Sequence, residues 1–94
     1  MTEVVRTVLI TNKRGLHARA SAKFVTLAST QSVEVKVCKD DSSAGGSVTG
    51  TSIMGLMMLG AARGDSIEIS AHGDGADEAV AQLTRLVEDK FGED

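Results

Sequence analysis

The sequence predicts an α+β fold, a two-layer open-faced sandwich in which a four-stranded, mostly antiparallel sheet is covered on one face by three helices. Three observations carry that expectation. Residues 32–38, SVEVKVC, and 66–72, SIEISAH, alternate apolar with polar residues, the period of a strand with one buried face. Residues 18–29 and the stretch after Asp74 instead place apolar side chains at the three- and four-residue spacing of a helix stripe. The elements follow one another as strand, helix, strand, edge strand, short helix, strand, helix. Strands with one polar face suit antiparallel pairing, and the helices must cover the other face to close a core.

Each element has its own signal. Residues 3–11, EVVRTVLIT, are β-branched and aliphatic and read as a strand, with Val8 and Ile10 on one face. Asn12-Lys13-Arg14-Gly15 reads as a turn. Ala20, Phe24, Leu27 and Ala28 then share one face of the first helix. In the second strand Val33, Val35 and Val37 point one way, with Glu34 and Lys36 opposite. Residues 39–51 are rich in turn formers and leave room for a short edge strand around Ser47–Gly50. Ser52 is a good N-cap for a short helix and Gly60 a good stop. Ile67, Ile69 and Ala71 form the inward set of the last strand. Asp74 can cap a final helix whose stripe is Ala76, Ala79, Val80, Leu83, Leu86 and Val87.

Composition narrows the class. The 94 residues suit one domain over residues 1–94. With no Trp or Tyr and only Phe24 and Phe91 as aromatics, the core must be aliphatic. Cys38 is the single cysteine, so no internal disulfide can form, and one Cys with two His is too few for a metal cluster. No metal or cofactor is expected. The opening MTEVVRTVLITNK lacks the basic start and long apolar run of a signal peptide, and no run approaches a membrane span. The cytoplasm is the expected compartment, without membrane insertion. The net charge of −3 hides an asymmetry. Arg6, Lys13, Arg14, Arg19, Lys23 and Lys36 face only Glu3 and Glu34 in residues 1–36, whereas residues 65–94 hold nine acids against Arg85 and Lys90. The basic end suits an acidic partner or an anion, or is plain solvated surface. With so few aromatics to stack on bases, nucleic acid is not an expected partner.

The chemically distinctive stretch is Gly15-Leu16-His17-Ala18-Arg19-Ala20-Ser21, where the first turn meets the first helix. A helix start leaves backbone N–H groups without partners. Leu16, His17 and Ala18 cannot cap them, and only Asn12 could reach from the turn. The open amides of Ala18 and Arg19, with the helix dipole, suit an anion, and the Arg19 guanidinium offers a fork matched to phosphate oxygens. The dipole and Arg19 both favour a neutral imidazole at His17. A neutral ring keeps one nitrogen lone pair for attack on phosphorus, and an imidazole is a good leaving group for the return step. A lone histidine in a turn is also often a simple surface residue, and the residues alone leave that alternative standing.

The stretch GLHARASAKFV resembles the active-site motif of the HPr family, the histidine-containing phosphocarriers of the bacterial phosphoenolpyruvate-dependent phosphotransferase system. TSIMGLMMLGAARGDSIEISAHG resembles the family's second motif, and the two together span the domain. The resemblance implies that His17 is phosphorylated on Nδ1 and that Arg19 steadies the phosphoryl group. It implies enzyme I as donor and an enzyme IIA domain as acceptor, in sugar uptake or in a regulatory, nitrogen-type relay. The chain would then be a carrier without small-molecule turnover of its own. Ser52 matches the position where some members carry a regulatory phosphoserine, with an HPr kinase/phosphorylase as the partner there. A regulatory binding module of the same fold, controlled at Ser52, is the alternative. The sequence departs from the family at Ala20, often Pro, at Thr51, often Lys, and in the Gly- and Ser-rich loop Lys39–Gly50.

The short helix carries Ile53, Met54, Leu56, Met57, Met58 and Leu59, apolar nearly all round and more than one packed face needs. The excess should form an exposed patch for partners, and methionine suits a surface that must fit several of them. By the same resemblance Ile53, Met54, Met57 and Ala20 belong to the partner interface, with Arg14, Arg19 and Lys23 as its charged rim on a monomeric carrier. His72 and Cys38 read as structural.

Overall fold

The computed structural model describes residues 3–39 and 46–93. Residues 40–45, the middle of the Gly- and Ser-rich loop, lie outside the described residues. The elements are β1 (Glu3–Leu9), α1 (Ala18–Ala28), β2 (Val35–Lys39), β3 (Val48–Thr49), α2 (Ile53–Met58), β4 (Ser66–His72) and α3 (Ala76–Glu88), followed by a 3-10 turn at Lys90–Gly92. The four strands form one sheet in the order β1-β4-β2-β3, with every pairing antiparallel. The α+β sandwich expected from the alternating strands is the fold observed.

Register explains how the core closes. Val8 lies opposite Ile67, Val37 opposite Ile69, and Val35 opposite Ala71, and all six are buried. A period of two puts them on one face of the sheet. The helices lay Ala20, Phe24, Ala28, Leu56, Ala76, Ala79, Val80, Leu83 and Val87 against that face. Val5 and Leu9 fall on the other face and are about half exposed.

Two boundaries differ from the sequence expectation. The second strand begins at Val35 and not at Ser32. Its partner β4 ends at His72, opposite the position of Glu34, and Gly73 turns away at φ +87°, so Val33 has no strand to pair with. Val33 still packs on the core, which is why its alternation looked strand-like. The last helix is capped by Gly75 and not by Asp74. Gly75 is left-handed at φ +94°, and the Ser32 hydroxyl occupies the space a Cβ would need. Asp77 and Glu78 supply the negative charge that suits a helix start.

Beyond α3 the chain makes a turn that the sequence pattern does not announce. Lys90, Phe91 and Gly92 are all left-handed, at φ 58°, 55° and 72°. Each of the two non-glycine positions costs about 1–2 kcal/mol. Burial of the Phe91 ring, 1% exposed, offsets it by about 1.5–3 kcal/mol. The ring pins the turn and directs Glu93 back toward α1. Among the described residues no helix is long and apolar enough to cross a membrane.

Candidate functional site

His17 is the N-cap residue of α1, with extended backbone at φ −75° and ψ −178°. No side chain caps the helix. The Ser21 N–H donates to the His17 carbonyl at 2.9 Å, so the amides of Ala18, Arg19 and Ala20 precede the first helical hydrogen bond. This is the open helix start that the sequence implied. Asn12 does not cap it. Its side chain is fully buried, and Nδ2 donates to the Gly15 carbonyl at 2.9 Å. Gly15 turns the chain with φ +64°, and the Leu16 N–H then donates to the Ala61 carbonyl at 3.0 Å. That bond fastens the turn before His17 to the segment between α2 and β4.

The imidazole is 22% exposed and is held at one nitrogen. His17 Nε2 lies 2.8 Å from Oε2 of Glu93. Oε1 of the same carboxylate accepts from Asn12 Nδ2 at 3.2 Å. The hydrogen bond from His17 holds the Glu93 carboxyl below the usual carboxylate range. Partial burial opposes that shift, while Asn12 and the Lys23 charge add to it. Lys23 Nζ itself donates to the Phe91 carbonyl at 2.7 Å and ties the C-terminal turn to α1. Lys13, Arg14, His17, Arg19 and Glu93 line one open cavity of about 270 Å³. An imidazole therefore stands among three cationic side chains, with Nε2 engaged by Glu93.

A family model described as "PTS HPr component phosphorylation site" matches residues 4–89. The chain is 53% identical over 90 residues to a phosphocarrier protein HPr of Neisseria meningitidis, covering 94% of each. It is 37% identical over 91 residues to the phosphocarrier protein NPr of Escherichia coli, covering 97% of this chain and 98% of that one. Among solved structures, HPr of Thermoanaerobacter tengcongensis superposes with a TM-score of 0.84 at 46% identity, over 100% of this chain and 99% of that chain. The chain belongs to the HPr family of phosphotransferase-system phosphocarriers. The family resemblance drawn from the two motifs holds over the whole fold.

His17, Arg14 and Arg19 line one cavity. Lys23 is exposed, and its Nζ is the donor to the Phe91 carbonyl. Ala20 is a correction: it is 0% exposed and packs inward, so it cannot offer surface to a partner. The α2 patch is open, with Ile53 at 41%, Met54 at 72% and Met57 at 45% exposure. Met58, not singled out in the sequence, is the most exposed at 79%, while Leu56 is fully buried. The Ser52 hydroxyl accepts from the Gly55 N–H at 2.9 Å and acts as the N-cap of α2. His72 is exposed at the end of β4, 3.7 Å from Glu3, and Cys38 sits 3.7 Å from Glu68 on the sheet. Among the described residues no group of three or more potential ligands is placed to hold a metal.

The residue that sequence reading missed is Glu93. It lies 76 positions from His17 in a stretch that looks like an acidic tail. The only signal was Phe91, one of two aromatics and too costly to leave exposed beside the terminus.

Proposed function

We propose that the chain accepts a phosphoryl group from enzyme I, itself charged by phosphoenolpyruvate, on His17 Nδ1, and passes it to an enzyme IIA domain. The acceptor serves sugar uptake or a nitrogen-type regulatory relay; the chemistry is common to both. The supporting observation is the imidazole held at Nε2 in a cavity lined by Lys13, Arg14 and Arg19 at an uncapped helix start. The Nδ1 lone pair forms the new bond to phosphorus as the bond from phosphorus to the donor's leaving atom breaks, the electron pair leaving with the donor. The proton on Nε2 stays in place, and the ring becomes a phosphoimidazolium. The incoming dianion meets the α1 amides and the Arg19 guanidinium, so transfer rests on positioning and charge. In the return step the imidazole is the leaving group.

Docking uses the exposed apolar face of α2, Ile53, Met54 and Met57, beside Arg14 and Arg19. An apolar patch rimmed by charge suits partners that are engaged in turn. Incubation with phosphoenolpyruvate and enzyme I tests the reading. One acid-labile, base-stable phosphate should appear per chain and be lost in His17→Ala. Phosphate retained by that variant would place the acceptor elsewhere.

A further inference from the structure

We propose that Glu93, set in place by Asn12, is a positioning residue that keeps the His17 proton on Nε2 and so reserves Nδ1 as the nucleophile. The proposal rests on the carrier reading of His17 and adds how the correct ring nitrogen is selected. A histidine's reactive nitrogen is decided by the hydrogen bond its other nitrogen makes.

The geometry gives the side chain at position 93 a fixed donor to meet. Asn12 faces two oxygen acceptors, the Gly15 carbonyl at 2.9 Å and Glu93 Oε1 at 3.2 Å. Its NH2 must therefore point at both, because its own oxygen would meet acceptors at either place. The consequence is visible: Asn12 Oδ1 is buried with no hydrogen-bond partner among the described residues. A buried acceptor without a partner is costly, and its survival marks an orientation imposed by other needs. Glu93 thus meets a fixed donor at Oε1, while Oε2 lies 2.8 Å from His17 Nε2. An ionised carboxylate can only accept, so Nε2 must carry the proton. Its ionised form is favoured here, as its lowered pKa indicates.

The supports of Glu93 are built in from elsewhere in the fold. Phe91 is buried, Lys23 Nζ grips its carbonyl at 2.7 Å, and the left-handed turn at Lys90–Gly92 brings the chain back over α1. After transfer, the retained Nε2 proton and the positive ring would face the same carboxylate. The phosphoryl group, on the opposite nitrogen, is kept away from that negative charge.

The arrangement orders two variants against the usual expectation. Glu93→Gln is nearly isosteric, yet an amide has one acceptor and one donor end. With its oxygen taken by Asn12, its NH2 faces His17 Nε2. The simplest relief is for that nitrogen to accept and for the proton to move to Nδ1, which removes the nucleophile. Glu93→Ala merely releases the ring to water. The experiment is ¹⁵N correlation of the neutral His17 ring in wild type, Glu93→Gln and Glu93→Ala, with the rate of phosphoryl acceptance from enzyme I on the same samples. Wild type should carry its proton on Nε2. Glu93→Gln should gain the Nδ1–H form and accept phosphate roughly tenfold or more slowly than wild type, the direction of the wrong-tautomer effect in catalytic triads. Glu93→Ala should fall between them. A Glu93→Gln ring that keeps its proton on Nε2, or Glu93→Ala slower than Glu93→Gln, overturns the proposal. A tautomer change without a change in acceptance rate overturns it as well. If no variant nor wild type takes phosphate while the tautomers shift as described, the positioning stands and the carrier reading fails.

Discussion

Gly15→Ala should damage both stability and the site, by an amount that the backbone sets. Gly15 holds φ +64°, a region costing an L-residue about 1–2 kcal/mol. A Cβ there would also stand 2.5 Å from the Ala61 carbonyl oxygen and 2.7 Å from the Ala62 Cα. Both atoms are backbone, so neither can swing aside as a side-chain tip would. Relief means pushing the turn away from Ala61, which breaks the 3.0 Å bond from the Leu16 N–H, worth about 0.5–1.5 kcal/mol net. Loss of glycine's freedom in the unfolded chain returns about 0.4–1 kcal/mol. The expected net loss is about 0.5–3 kcal/mol, centred near 2. Gly60→Ala is the control, since Gly60 has nearly the same φ, +67°, and open space where the Cβ would go. Without the clash or the broken hydrogen bond it should lose less, about 0–1.6 kcal/mol. Urea unfolding of both variants reads the difference, with unchanged slope as the sign of an unchanged unfolded state. Because the displaced turn carries His17, Gly15→Ala should also accept phosphate more slowly, and Gly60→Ala should not. Equal midpoints for the two variants would refute the close-approach argument.

Three further outcomes follow from the same structure. Met54→Asp, at a position 72% exposed on α2, should slow transfer to and from partners while leaving the unfolding midpoint close to wild type; unaltered transfer would remove α2 from the docking surface. Ser52→Ala removes the cap on the Gly55 amide and should cost about 1 kcal/mol by urea unfolding, whereas a change within a few tenths would show the cap to be idle. The Glu93 carboxyl titrates lower in the folded chain than in the unfolded one, so its contribution is present above its unfolded value and is lost as pH falls through the folded value. Unfolding midpoints from pH 7 to 3 should therefore fall less steeply in Glu93→Gln than in wild type, and parallel profiles would contradict that linkage.

Much of the fold was readable because its signals are local. The alternation of Val35 and Val37 and of Ile67, Ile69 and Ala71 fixed the buried sheet face, and the stripe from Ala76 to Val87 fixed α3. Ser52 and Gly60 marked α2 by chemistry confined to one turn. The errors came where tertiary contacts decide. Val33 looked like strand, but β4 ends before it could pair. Asp74 looked like a cap, but Ser32 fills the space beside Gly75 and selects a left-handed glycine at the helix start. Ala20 lies next to the site in sequence, and helix rotation turns it inward. In the site, His17 and Arg19 were legible because two neighbours on one helix start carry the argument. Glu93 and Asn12 were not, since their meeting depends on two consecutive left-handed residues at Lys90 and Phe91, which no propensity favours.

The central claim is that phosphorus bonds to Nδ1 of His17 while Nε2 keeps its proton toward Glu93. Phosphorus–nitrogen correlation spectra of the phosphorylated, ¹⁵N-labelled chain address it most directly. A coupling from phosphorus to Nδ1, with a proton still bound to Nε2, is the outcome expected from the geometry. A coupling to Nε2 would contradict the account, because that nitrogen could not then be the one held by the carboxylate.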